Sequence, residues 1–256
     1  YGTPLSRACI KHGASYTDIN GEIGWHHSMI NEYDQAAREA GITLVPSAGF
    51  DSIPSDLGAQ WMAERLGGNA SKIRCYASLR GGFSGGTVAS GINSEKQHGS
   101  LLSDPFLLGG TRAGGPRQED CDPPYEAKLD PLIGKHVAPF GMAVINSRIV
   151  RRTAGLLEAR GFAHPSVRLY ARDFAYSEVA MAPDEETAVK MARAASVPAS
   201  KLQELVAQGR LPAPGDGPSE AERAKNWFRF HFLAESSEPG IPKLAGTVSG
   251  GDPGYT

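Results

Sequence analysis

Two short stretches in the first quarter of the chain collect the residue types that polar chemistry needs. In YTDINGE (residues 16–22), Asp18, Gly21 and Glu22 follow a strand-like pair; in SAGFDSIPSD (47–56), Gly49, Phe50, Asp51 and Ser52 follow the apolar run ITLV. Carboxylates at such places can hold a proton or accept a ligand's hydrogen bonds, and glycines let backbone approach closely. In an open α/β sheet, ligands bind beyond the carboxyl ends of the parallel strands. If both runs are strands of one sheet, these residues face a single crevice. A plainer reading stands beside that one: Asp18 and Glu22 fix the turn and cap the next helix, while Ser52 or Ser55 caps the helix after residue 52 and Asp56 suits its positive end. Capping does not exclude a site, because it leaves Gly49 to Ser52 at the crevice rim.

The elements that would position these residues follow from periodicity. YGTPLSRACIKHG predicts a helix with Thr3 as N-cap, Pro4 at its first position and Gly13 past its end. A strand over ASYTDI, a helix in GWHHSMINEYDQAAREAG, a strand over ITLVPS and a helix through Leu57, Trp61 and Met62 complete an alternation expected of a parallel, doubly wound sheet. After Gly67 the pattern changes. KIRCYASLR alternates Ile73, Cys75, Ala77 and Leu79 with polar residues and Tyr76, as a half-exposed antiparallel strand would. VRLYARDFAYSEVAMA, NWFRFHFLA and KLAGTVSG are further strand candidates, with Phe228, Phe230 and Phe232 sharing one face; TVASGINSEKQHG, NSRIVRRTAGLLEAR and DEETAVKMARAAS are helical. Residues 103–139, rich in Gly and Pro, are expected to form a long excursion or mobile loop. The fold class expected is α/β: the C-terminal part of a Rossmann-like parallel sheet (1–67), then an α+β domain with a mainly antiparallel sheet (68–256), cut at its C-terminus.

Composition narrows the function classes. A net charge of −2 with both signs scattered provides no basic stripe for a phosphate backbone, so nucleic acid is not an expected partner. No apolar run approaches the ~20 residues of a membrane span. The three cysteines, Cys9, Cys75 and Cys121, are far apart and read as structural. His26 and His27 are adjacent, diverge on a helix and lack a third ligand at a suitable spacing, so no metal is expected. Arg148, Arg151 and Arg152 with Lys135 could hold an anion, although the reading favoured is the solvated face of an amphipathic helix. Tyr170, Phe174 and Tyr176 could line a pocket, with core packing favoured. The glycines at 81–86 lack the GxGxxG spacing and read as a strand-to-helix turn or close packing.

YGTPLSRACIKHGASYTDINGE with AGITLVPSAGFDSIPSDLGA, followed in order by GGTVASG, MAVINSRIVRRTAGLL, FAYSEVAMAP and VSGGDPGYT, resembles the saccharopine dehydrogenase-like oxidoreductases, the group that includes the trans-acting enoyl reductases. The family's dinucleotide fingerprint would lie upstream of Tyr1, so the chain reads as a fragment. The resemblance implies NAD or NADP as cofactor, bound by the full-length protein only, with Tyr1, Gly2, Gly21 and Glu22 on the cofactor side and Asp18, Gly49, Phe50, Asp51 and Ser52 on the substrate side. It implies hydride transfer to an organic, lipid-linked substrate, a cytoplasmic location with contact to lipid-droplet or membrane surfaces, and a homodimer. No Lys, His or Tyr stands out as proton donor. The alternative is a non-catalytic scaffold of the same fold that associates with lipid surfaces.

Overall fold

The computed structural model describes residues 2–98, 101–110, 112, 114–160 and 169–255. Tyr1 and the first residues of the strand expected from Val167 lie outside them. The chain opens with α1 (Gly2–His12), β1 (Tyr16–Thr17), α2 (Ile23–Glu39), β2 (Leu44–Val45) and α3 (Ile53–Arg65), the alternation expected. β1 and β2 pair in parallel, Tyr16 opposite Leu44. The strands are short, but flanking bonds prolong the ladder: Asp18 N donates to Val45 O (3.2 Å) and Ala48 N to Asp18 O (2.8 Å).

β3 (Ala70–Arg80), α4 (Gly85–His98), a 3-10 turn (Gln118–Asp120), β4 (Lys128–Asp130), β5 (Lys135–Pro139), α5 (Ala143–Arg160), β6 (Tyr170–Ala182), α6 (Glu185–Ala195), α7 (Ala199–Ala207), α8 (Glu220–Arg223), β7 (Trp227–Ser236) and β8 (Leu244–Gly250) follow. Six strands form one sheet in the order β4-β5-β6-β3-β7-β8. Only β3 and β6 run parallel; the other neighbours are antiparallel. The protein is therefore α/β, with a parallel pair and a mixed, mostly antiparallel sheet.

The two parts share one core. Ala59, Met62 and Ala63 of α3 pack with Ile73, Tyr176, Phe228, Phe230 and Phe232 of the large sheet. Gly58 makes this approach possible, since a Cβ there would stand 2.5 Å from the Phe232 ring. Phe228, Phe230 and Phe232 are buried together, as alternate residues of a strand must be when one face meets a helix.

Several expectations need correction. β3 is a central strand paired on both edges, and on its polar face Tyr76 is as buried as Ile73 and Cys75 while Lys72, Arg74 and Ser78 stay partly exposed; the Tyr76 hydroxyl donates to Asp130 Oδ2 (3.1 Å). Tyr76 can face protein because an aromatic ring with a satisfied hydroxyl loses nothing on burial. The region 103–139 contains β4, β5 and a 3-10 turn. Arg148 and Arg151, expected on a solvated face, are buried and tie that region down. Arg148 donates to both Asp122 carboxylate oxygens (2.7 and 2.8 Å) and to the carbonyls of Leu102 and Asp104; Arg151 donates to those of Pro105, Asp120 and Tyr176. Arg112 grips Asp120 through two buried hydrogen bonds (2.6 and 2.7 Å). Guanidinium forks replace the ladder bonds that an irregular segment lacks. Thr3 lies within α1 rather than capping it, and its Oγ1 accepts from Trp25 Nε1 (2.9 Å).

Phe230 is fully buried against Phe50, Phe140 and Phe228. Phe230→Ala is expected to cost about 3–5 kcal/mol of unfolding free energy in denaturant titration, because rigid neighbouring rings cannot close the cavity.

Candidate functional site

An open groove of about 1580 Å³ lies between the loop that leaves β2 and the large sheet. Its lining is mainly apolar and includes Phe50, Leu79, Phe83, Phe140, Met142 and Met181. Five lining residues, Ile19, Leu79, Phe83, Trp227 and Tyr255, keep much of their apolar surface in water, Phe83 at 57%. Clustered exposed hydrophobes of this size mark a binding surface rather than a finished exterior. The volume exceeds the roughly 300–1,000 Å³ typical of small-ligand pockets, so the groove suits a chain-like guest.

Two loops build one rim. After β1, Asp18 accepts from the Tyr16 hydroxyl and, at 2.9 Å, from Asn20 N, which fixes the turn. After β2, Ser47 adopts a positive φ of 58° and its hydroxyl donates to Asn20 O (2.8 Å), lacing the second loop to the first. Gly49 must be glycine for these loops to touch: a Cβ there would stand 2.9 Å from Ile19 Cγ2. Phe50 then inserts against the sheet, its ring 5.1 Å from Phe228 and 5.6 Å from Phe230, which leaves Asp51 at the edge of the groove.

Behind Asp51 lies a buried polar network that the sequence reading missed. Glu178 of β6 accepts from the Tyr176 hydroxyl (2.7 Å) and from Asn146 Nδ2 (2.8 Å) and is almost wholly buried. Burial pushes its carboxyl up to about 7, with Tyr176, Asn146 and Ser55 opposing and the nearby Asp51 adding to the rise. Burial alone lifts Asp51 to about 6. Asp56, which accepts from the Thr153 hydroxyl (2.9 Å), is raised by burial to about 6 with that bond opposing. Carboxyls that titrate near neutrality at a groove edge can carry protons to and from a guest. The signal in the sequence was an acidic residue in a mostly apolar strand, FAYSEVAMA, where period-2 alternation points Glu178 and Tyr176 to the same side.

The expected site residues divide clearly. Gly49, Phe50 and Asp51 line the groove, as does Ile19 next to Asp18. Gly21 lies against Ile145 and Asp51, since a Cβ there would stand 3.0 Å from Ile145 Cδ1 and 3.7 Å from Asp51 Oδ2. Ser52 is fully buried at the start of α3 and makes no side-chain cap bond; Ser55 lies inside α3, so neither serine caps it as expected. Glu22 occupies the cap position of α2, also without a side-chain cap bond. Gly2 packs under Trp25, where a Cβ would stand 2.3 Å from the ring, and Tyr1 lies outside the described residues. Tyr170 and Phe174 pack together in the core, ring centroids 4.4 Å apart.

The Gly-rich turn between β3 and α4 does not fit a dinucleotide. The first turn of α4 is closed by the chain itself: Gly85 N donates to Asp216 O (2.9 Å), and a Cβ on Gly85 would overlap Ala213 O at 1.7 Å. Gly85 serves close packing, whereas a pyrophosphate needs open amides at a helix N-terminus. Among the described residues no three His, Cys, Asp or Glu side chains gather to hold a metal ion, and no helix is long and apolar enough to cross a membrane.

Because Glu178 holds its proton more tightly folded than unfolded, its contribution is full below about pH 4.5 and is lost as pH rises through about 7. A shift of this size corresponds to about 3 kcal/mol. Glu178→Gln is therefore expected to flatten the fall in stability between about pH 5 and about pH 8 relative to the wild type, measured by denaturant midpoints.

No protein-family model matches the chain. It is 33% identical over 281 aligned residues, covering all of this chain and 65% of the relative, to a Mycobacterium tuberculosis protein named "Putative trans-acting enoyl reductase". It is 30% identical to the "Trans-acting enoyl reductase" of Mycobacterium ulcerans and 28% identical to that of Mycobacterium bovis, each match covering 90% of this chain and 59% of the relative. The chain spans about two thirds of the length of the first of these relatives and less of the others. From the strand-end loops to β8, it is similar to proteins named trans-acting enoyl reductases.

Proposed function

We propose that the whole protein is a saccharopine dehydrogenase-like, NAD(P)-dependent oxidoreductase that reduces a double bond in a lipid-linked substrate, and that this chain supplies the substrate wall. The observation that carries the reading is the large apolar groove with Asp51 at its edge, supported by the likeness to proteins named enoyl reductases. In this reading, residues 1–67 complete a Rossmann-like domain and residues 68–256 form the substrate domain. The dinucleotide phosphates are held by residues outside this chain. This chain's own part is to shelter an apolar chain from water, orient it along Phe83, Phe140 and Met142, and hold a proton at the Asp51 carboxyl.

A second reading rests on the exposed apolar lining at Leu79, Phe83 and Trp227: a protein that binds lipid without transforming it. The two are separated by NAD(P)H oxidation with the full-length protein and unsaturated thioesters of increasing chain length. Enoyl reduction predicts turnover whose KM falls as the chain lengthens, by up to about fourfold per added CH₂ while the groove is filling. Saturable lipid binding with no NADH or NADPH oxidation would leave the binding protein as the function.

A further inference from the structure

Asp51 belongs to both halves of the site. It lines the groove, and its Oδ2 reaches the loop after β1, 3.7 Å from where a Gly21 Cβ would stand. Its Oδ1 is buried and has no hydrogen-bond partner. A buried carboxylate oxygen without a donor is costly, and the cost falls when the group is a neutral acid. The ionisable side chain coupled to Asp51 is Glu178 of β6, and the groove lining also carries Lys135, Arg223, Asp216 and Asp252. Glu178 is held in place by Tyr176 and Asn146, so its carboxyl cannot swing away. What Asp51 Oδ1 lacks is a hydrogen-bond partner, and the groove that Asp51 lines is where a guest can supply an acceptor.

We propose that Asp51 is the recognition residue of the groove: its carboxyl O–H donates a hydrogen bond to the carbonyl oxygen of a long-chain ketone, ester or thioester. The inference rests on the reading of the groove as a lipid-chain site. A carbonyl on an apolar chain meets both demands, acceptance at its head and burial along its tail. Burial lifts Asp51 to about 6, which places the loss of its proton inside an accessible pH range.

The test uses the full chain and two probes of equal length, a long-chain methyl ketone and the corresponding terminal alkene, each read by displacement of an apolar fluorescent dye. The alkene should bind equally at about pH 5 and about pH 8, in the wild type and in every variant. The ketone should bind about fivefold more tightly at the lower pH, the size of one net hydrogen bond. Asp51→Asn, which still donates but does not titrate, should keep ketone binding and lose its pH dependence. Asp51→Ala should reduce ketone affinity to the wild-type level at about pH 8. Ketone binding that is flat with pH while the alkene binds would overturn the role of Asp51 and leave the groove reading intact. Alkene binding with the same pH dependence as the ketone would overturn it too, by showing a general loosening. Failure of both probes to bind would remove the groove reading and the proposal with it.

Discussion

The insertion of Phe50 among Phe228, Phe230 and their neighbours is the contact on which the rest of the site depends. A loop leaving a two-residue strand has little to hold it, since β1 and β2 together contribute few ladder bonds. The ring supplies what the ladder cannot. Edge-to-face packing onto a sheet face already filled with phenylalanine fixes both the position and the direction of the loop. Asp51, the next residue, is thereby delivered to the groove, and α3 starts where its small residues meet β7. Site and core are consequently one construction: the face that buries Phe230 also aims the acid.

A second constraint works through α5, which packs in the same core as α3. Arg112, Arg148 and Arg151 hold a long stretch of mostly irregular chain by satisfying carbonyls that no strand partner reaches. Burial draws Arg151 down to about 10, with Arg148 also lowering it and Asp120 opposing, so it stays cationic near neutrality. Such contacts are expensive to break, because a buried guanidinium without its acceptors is worse than none. They also give α5 its second task, since Asn146 of the same helix braces Glu178.

How much of this was legible follows from which forces act locally. The alternation α1-β1-α2-β2-α3 and the shared face of Phe228, Phe230 and Phe232 are periodic, and periodicity is written in neighbouring residues. Gly49, Phe50 and Asp51 were legible as rim residues, because strand-end geometry needs only the strand. Glu178 was not, because its meaning comes from Asn146 and Asp51, far away in sequence. The arginines misled for the same reason: a helix with charges on one side looks solvated until the loop that covers it is known. Ser52 and Ser55 had the right chemistry for caps, but α3 begins one residue after Ser52, its first turn takes Pro54, and both hydroxyls are buried.

The central position of β3 has a consequence for the order of assembly. Its neighbours, β6 and β7, both lie far downstream: Ile73 pairs with Tyr176 on one side and with Ala234 on the other. A chain emerging at about 5–20 residues per second exposes β3 for several seconds before either partner exists. During that interval an eleven-residue strand with Ile73, Cys75, Ala77 and Leu79 on one face has two free edges, the condition under which strands find wrong partners. The middle strand of the large sheet is the first of its six to be made, and it is enclosed only once β6 and β7 have followed.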